Sequence, residues 1–395
     1  MGSLRRSKLG LAFLAATLAL LVGTIGALAL LWPRDEISVK PGQQTTGKTV
    51  EAEVVVVAAV QCPSPELRGC RSVSVKLLEG AEKDRRVRFS FTGSAADPGL
   101  EVGDHVRMTR NPAPPAGAPA GVAEPYSFVD FERRNPMLLL VLAFAALVVV
   151  LGRLRGALSL VGLAISLAVV IEFILPAILD GRPPVAVAIA GALAVMLTTI
   201  ALAHGLGPKS IAAVLGTAAS LGITIALATI FTEAAHLTGL SSEESTLLLS
   251  GGEDISLEGL VLAGMIIAAL GVLDDVTVSQ ASTVMALRRA NPTQRFGELY
   301  RSALSVGRDH VSATVNTLVL AYVGASLPVL LIFTVGDTPF VDAINREVVA
   351  QQVVGTLVGS VGLIAAVPIT TALAALLASR LPGEALPAEA HAHAH

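Results

Sequence analysis

Eight separate runs of apolar residues, most of them twenty residues or longer, limit what this chain can fold into more than anything else in it. They cover residues 9–31, 137–151, 158–178, 185–203, 211–231, 257–281, 311–333 and 348–378. A helix of about 20 residues crosses the hydrocarbon of a bilayer, where only helices and closed barrels satisfy their own backbone polar groups. With 53% hydrophobic and 15% charged residues among 395, the composition argues against a soluble enzyme. The predicted class is an α-helical polytopic membrane protein of about eight transmembrane helices.

The cations support that count. Arg5, Arg6 and Lys8 precede the first run and hold the N-terminus in the cytoplasm. This run reaches Trp32 and Pro33 without a small-residue cleavage site, so an uncleaved helix is expected over residues 1–34. Threading eight spans from there puts Arg153, Arg155, Lys209, the arginines from Arg288 to Arg308, and Arg380 on the cytoplasmic side. The loops left outside between the later spans hold only Arg182 and Arg346 as cations, and residues 232–258 are acidic. Both termini are predicted to be cytoplasmic.

Residues 35–110 are different material. Segments 49–61, 71–78, 86–92 and 100–109 alternate or are rich in valine, the last entered through a Gly-Asp turn. Four or five short strands predict a small extracytoplasmic β-rich domain, with an OB-like barrel the first choice. Nucleic acid is rejected as its partner, because interleaved aromatic and basic residues are lacking. Cys62 and Cys70, eight apart on the oxidising side, are expected to form a disulfide. Residues 111–136 read as a Pro-rich spacer and a strand, 137–380 as a seven-helix membrane domain, and 381–395 as a cytoplasmic tail.

Inside the sixth run stand two adjacent acids, Asp274 and Asp275. A charge at the bilayer centre costs about 2.5–3.5 kcal/mol on insertion scales, so such residues point to an ion or proton pathway. On a helical wheel, Gly264, Ala268, Gly271, Asp275, Ser279, Ser282 and Ala286 lie within about 40° of one line, opposite Ile266, Leu270, Leu273 and Val284. The small face is expected to meet another helix, with Asp275 pointing inward, Ser279 and Ser282 solvating it, and Asp274 at the edge. The bland alternative places the pair at a helix break or against Arg288 or Arg308. Asn316 and Thr317 add polarity in the next span. Glu172 reads as an interfacial carboxylate, and Gln351 and Gln352 as interhelical glue. Residues 296–304 have an apolar side expected to lie on the inner membrane surface. The histidines from His391 to His395 read as a disordered tail rather than a metal site. No phosphate-cradling loop, nucleophile elbow or metalloprotease motif is present, so no cofactor, no metal and no catalytic residues are expected.

The run GVLDDVTVSQAS at 271–282, LRRANP at 287–292, GRDHVSATVNTLVLAYVGASLP at 307–328 and YSFVDFERR at 126–134 resemble the YibE/F-like family of bacterial multi-pass membrane proteins. The resemblance implies a polytopic protein of the bacterial inner membrane, and the family's paired naming points to a partner membrane protein. About 75 residues around the aspartates are also similar to SecD, SecF and related resistance-nodulation-division permeases. That likeness implies proton coupling at Asp274 or Asp275, with Arg308, Asn316 and Thr317 on the neighbouring span. This chain departs from it by two more helices before the aspartate helix.

The expectation is therefore an ion-coupled membrane permease or export-assisting protein, in contact with the lipid bilayer and with an unknown small solute or ion. In it, protonation of the pair, titrating as a coupled unit, shifts its helix against the span at Val311. The rival is a membrane-anchored binding or assembly module whose β domain recognises an envelope component or partner protein. An intramembrane enzyme is not expected, because adjacent residues on one helix diverge by about 100° whereas a dyad converges from two elements.

Overall fold

A computed structural model of the protein describes residues 8–34, 49–62, 64, 68–92, 97–111, 125–241, 245, 248 and 255–380. Most of the expected spacer, part of the acidic loop and the histidine tail lie outside the described residues. The chain divides into two units, Met1–Ile37 with Val148–His395, and Ser38–Leu147.

In the second unit, alternating residues build β1 (Thr49–Ala59), β2 (Arg71–Leu77), β3 (Arg86–Phe91), β4 (His105–Arg110) and β5 (Tyr126–Phe131). They pair antiparallel in the order β3-β2-β1-β4-β5. Bulges at Val54/Val56 and Arg107/Met108 bend the sheet into a half-barrel around Val54, Val75, Leu77, Phe89, Val106 and Met108. Its two edge strands approach through the rings of Phe89, Phe91 and Phe128, with centroids 5.7–6.2 Å apart across the gap. Cys62 and Cys70 are bonded, their Cα atoms 5.3 Å apart, and close the β1–β2 connection. The YSFVDFERR stretch ends in a charge network: Arg134 clasps Glu132, and Arg107 reaches Glu79, Glu132 and the Thr49 carbonyl.

The apolar runs form helices α1 (Lys8–Leu31), α2 (Arg134–Val169), α3 (Leu175–Leu179), α4 (Pro184–His204), α5 (Pro208–Ala234), α6 (Leu257–Ala290), α7 (Phe296–Val335), α8 (Phe340–Asn345) and α9 (Glu347–Arg380). Seven helical stretches among the described residues are long and apolar enough to cross a membrane. The second and third expected spans share one of them, the 46-residue stretch Arg134–Leu179, which includes a π-helical turn at Val170–Ile174 holding the exposed Glu172. Its backbone leaves helical geometry at Arg153 (φ 51°, ψ −132°), and the Val148 carbonyl lies where a Cβ on Gly156 would go. Residues eight apart in a straight helix are about 12 Å apart along its axis. The chain therefore bends sharply at the point where the sequence predicted a loop.

In the helical unit α6 is central, flanked by α4, α5 and α9. Pro184 meets Gly259 and Thr199 meets Asp274, so α4 runs parallel to α6. Gly355 meets Met265 and Thr371 meets Gln280, so α9 does too. Helix α5 runs the other way, with Thr217 beside Thr277 and Ala228 beside Leu262. Helix α7 opposes α9, Gly307 touching Val367 and Gly359 touching Leu318. This alternation is the one the threading requires for these helices, and it gathers Lys209, Arg288, Arg289 and Arg380 at one end.

Where α5 crosses α9, two notches answer each other. A Cβ on Gly216 would collide with Thr370, and one on Gly362 with Thr224. The two stretches, GTAASLGIT at 216–224 and GLIAAVPIT at 362–370, share the same glycine-to-threonine spacing. Antiparallel packing turns that shared spacing into a crossing with local two-fold symmetry. Ser220 and Ala366 are fully buried at its midpoint.

The start of α7 departs from expectation. Leu299 and Ala303 are fully buried in the helix core, and Gly307 lies against Gln280 and Val367. Helix packing buries Leu299 and Ala303 on the apolar side of residues 296–304, while Phe296 at its start stays exposed.

Candidate functional site

Ser256 caps the start of α6 by accepting from the Gly259 amide, and helical geometry continues unbroken to Ala290. The two aspartates are thus mid-helix and cap no break. Their orientation is the reverse of the predicted one: Asp274 is half-buried towards α4, and Asp275 is exposed. The face carrying Gly264, Ala268, Gly271 and Ala286 is exposed as well, while Ile266, Leu270, Leu273 and Val284 fill the core. A wheel separates two faces without saying which turns inward. Here the bulky side fills the volume between three neighbouring helices, where side chains gain most dispersion contact.

Asp274 Oδ2 accepts from the Thr199 hydroxyl at 3.0 Å. Thr199 Oγ1 is also 2.9 Å from the Val195 carbonyl. One hydroxyl proton serves one of these acceptors at a time. Asp274 Oδ1 is buried with no hydrogen-bond partner among the described residues. Among the described residues no Arg, Lys or His ion-pairs with either aspartate, and the charge acting on Asp274 is that of Asp275.

A polar seam continues from there along the buried side of α6. The Thr277 and Thr217 hydroxyls are 2.6 Å apart. Gln280 donates to the Ala303 carbonyl (2.9 Å) on α7 and to Thr371 Oγ1 (2.7 Å) on α9. Thr199, Thr217, Thr277, Gln280 and Thr371 were not singled out in the sequence. The readable signal was an amide at position 280 on the otherwise greasy face.

The other predicted members of the site do not join it. Asn316 and Thr317 are exposed, and the Thr317 hydroxyl bonds back to the Ala313 carbonyl. Helix α7 meets α6 near Gly307 and then follows α9, which carries both residues away from the aspartates. Ser279 and Ser282, half-buried, bond back to Val276 and Val278 rather than to a carboxylate. Gln351 does not join two helices as expected: it reaches Glu347 one turn back on its own helix and Ser241 in the turn that follows α5.

Neither a curated protein nor a solved structure matches this chain. A family model described as YibE/F-like protein matches residues 140–380, the stretch that contains helices α3 to α9 and both aspartates. That family and the many apolar helices support a multi-pass membrane protein. The match covers more than half of the chain, and the protein therefore belongs to the YibE/F-like family.

Proposed function

We propose that the protein is an ion-coupled permease or export-assisting protein of the bacterial inner membrane, with Asp274 as the group that takes and releases a proton. The observation carrying this reading is the half-met carboxylate: one oxygen rests on a neutral hydroxyl and the other is buried with no partner among the described residues. Buried charges in proteins are ordinarily paired, and an unpaired one costs several kcal/mol (roughly 2.5–3.5 on insertion scales). A proton on Asp274 removes the uncompensated charge and reverses the bond to Thr199, which then accepts and is free to donate to the Val195 carbonyl. Occupancy of that proton is so coupled to the contact between α4 and α6, not to the span at Val311.

The test uses full-length protein in liposomes carrying a trapped pH dye, with an imposed membrane potential. Wild type takes up protons; Asp274→Asn loses at least tenfold of that rate, and Asp275→Asn keeps most of it. Wild-type flux in a folded Asp274→Asn protein ends the proposal.

A second reading has its own support. The half-barrel, an OB-like barrel left open between β3 and β5, has the rings of Phe91 and Phe128 at its seam, a surface fit for an envelope component or a partner protein. Replacing both rings by serine would then abolish function while proton uptake persists.

A further inference from the structure

Where α4 ends and α5 begins, the helical unit forms an open-mouthed cavity of about 750 Å3. Its walls come from three places distant in sequence: the bend in α2, the turn between α4 and α5, and the last turns of α6. Two chemistries meet on them. Arg155, His204, Lys209 and Arg289 line the cavity, and no Asp or Glu is among the described residues that line it. Leu158, Leu202 and Met285 supply an apolar wall beside them.

The backbone adds to the same sign of charge. Helix α5 starts in this wall at Pro208, and its cap residue, Gly207, provides no side-chain acceptor for the first turn. A helix start carries roughly half a positive charge and exposed amides, which favours anions. A Cβ on Gly205 or Gly207 would touch nothing within 4 Å, so this rim is open. Asp275 acts electrostatically on His204 but does not line the cavity. Arg155, Lys209 and Arg289 bring three cations from three elements to one space.

We propose that this cavity binds a phosphate group, Arg155, Lys209 and Arg289 holding its oxygens and the apolar wall receiving what the phosphate is attached to. Several oxygens on one centre suit donors converging from separate elements, and guanidinium forks bond them in pairs. Basic pockets between membrane helices on the cation-rich side are suited to anionic headgroups. The same phosphate chemistry is offered by an anionic phospholipid and by a soluble phosphate. The inference is independent of the role given to Asp274, since it concerns binding and invokes no proton.

The experiment is native mass spectrometry of the full-length protein in detergent, supplied with phosphatidylglycerol, phosphatidylcholine or inorganic phosphate. Wild type is expected to retain phosphatidylglycerol at least tenfold better than the triple variant Arg155→Gln/Lys209→Gln/Arg289→Gln, and to retain phosphatidylcholine poorly. A control variant, Arg295→Gln/Arg301→Gln/Arg308→Gln, removes as many charges elsewhere and should bind as wild type does. Should the triple variant not fold, the single reversal Lys209→Glu takes its place, with the same loss expected. Phosphatidylglycerol that excess inorganic phosphate leaves in place identifies a lipid headgroup. Displacement by phosphate, with the same dependence on the three cations, identifies a soluble phosphate. The proposal is overturned if wild type binds neither, or if the control loses as much as the triple variant, which would mean diffuse attraction rather than a site.

Discussion

At Thr199 a single hydroxyl links α4 to α6, and its proton is contested by Asp274 and the Val195 carbonyl. Thr199→Val keeps the shape and removes the contest. It is expected to lower proton uptake about tenfold, as loss of roughly 1.4 kcal/mol of differential stabilisation would, whereas Thr199→Ser retains it; the dye assay in liposomes reads both. Gln280 acts structurally. Gln280→Leu leaves the Ala303 carbonyl and Thr371 without their donor, and thermal unfolding in detergent should show a loss of about 1–2 kcal/mol. Residue chemistry was only partly legible in advance. Two acids in an apolar run announced themselves, since few arrangements tolerate them, and that made the segment a candidate. Which acid turned inward was not written in it, because a wheel gives angles and the partners that select a face lie 75 residues away at Thr199.

Between helices, the reciprocal notches of α5 and α9 give a sharp expectation. Gly362→Ala pushes a methyl into Thr224 and Gly216→Ala one into Thr370, each costing about 1–3 kcal/mol by overpacking. Adding Thr224→Ala to Gly362→Ala should recover part of the loss, while adding it to Gly216→Ala should not. A double-mutant cycle by thermal unfolding checks this coupling. Strands and helices were largely legible from period, because alternation and long apolar runs follow from where Cβ atoms point. The bend at Arg153 and the burial of Leu299 were not: both depend on what neighbouring elements leave room for.

Across the whole molecule, the largest hold on a carboxyl outside the spans is in the β unit. Arg134, through its guanidinium and then its amide, holds the Glu132 carboxyl down at about 2, against its ordinary 4.5. A carboxyl depressed on folding adds stability that is full above about pH 4.5 and disappears as pH falls towards 2. Glu132→Gln should therefore lower hydrogen-exchange protection of β1 and β4 at neutral pH and flatten their loss of protection between pH 4.5 and 2, with helix protection unchanged. The cation-rich end of the helices was visible in the sequence by charge alone. The cavity there was not, since it is made by three segments that only folding brings together. The crossing of α5 and α9 has a further consequence for movement. Its two threonine seats are about 12 Å apart at 1.5 Å per residue, either side of Ser220 and Ala366. Sliding one helix by a turn would empty both seats together, but scissoring by ten degrees about that midpoint shifts each by only about 1 Å on the same geometry. The joint is built as a pivot and not as a piston.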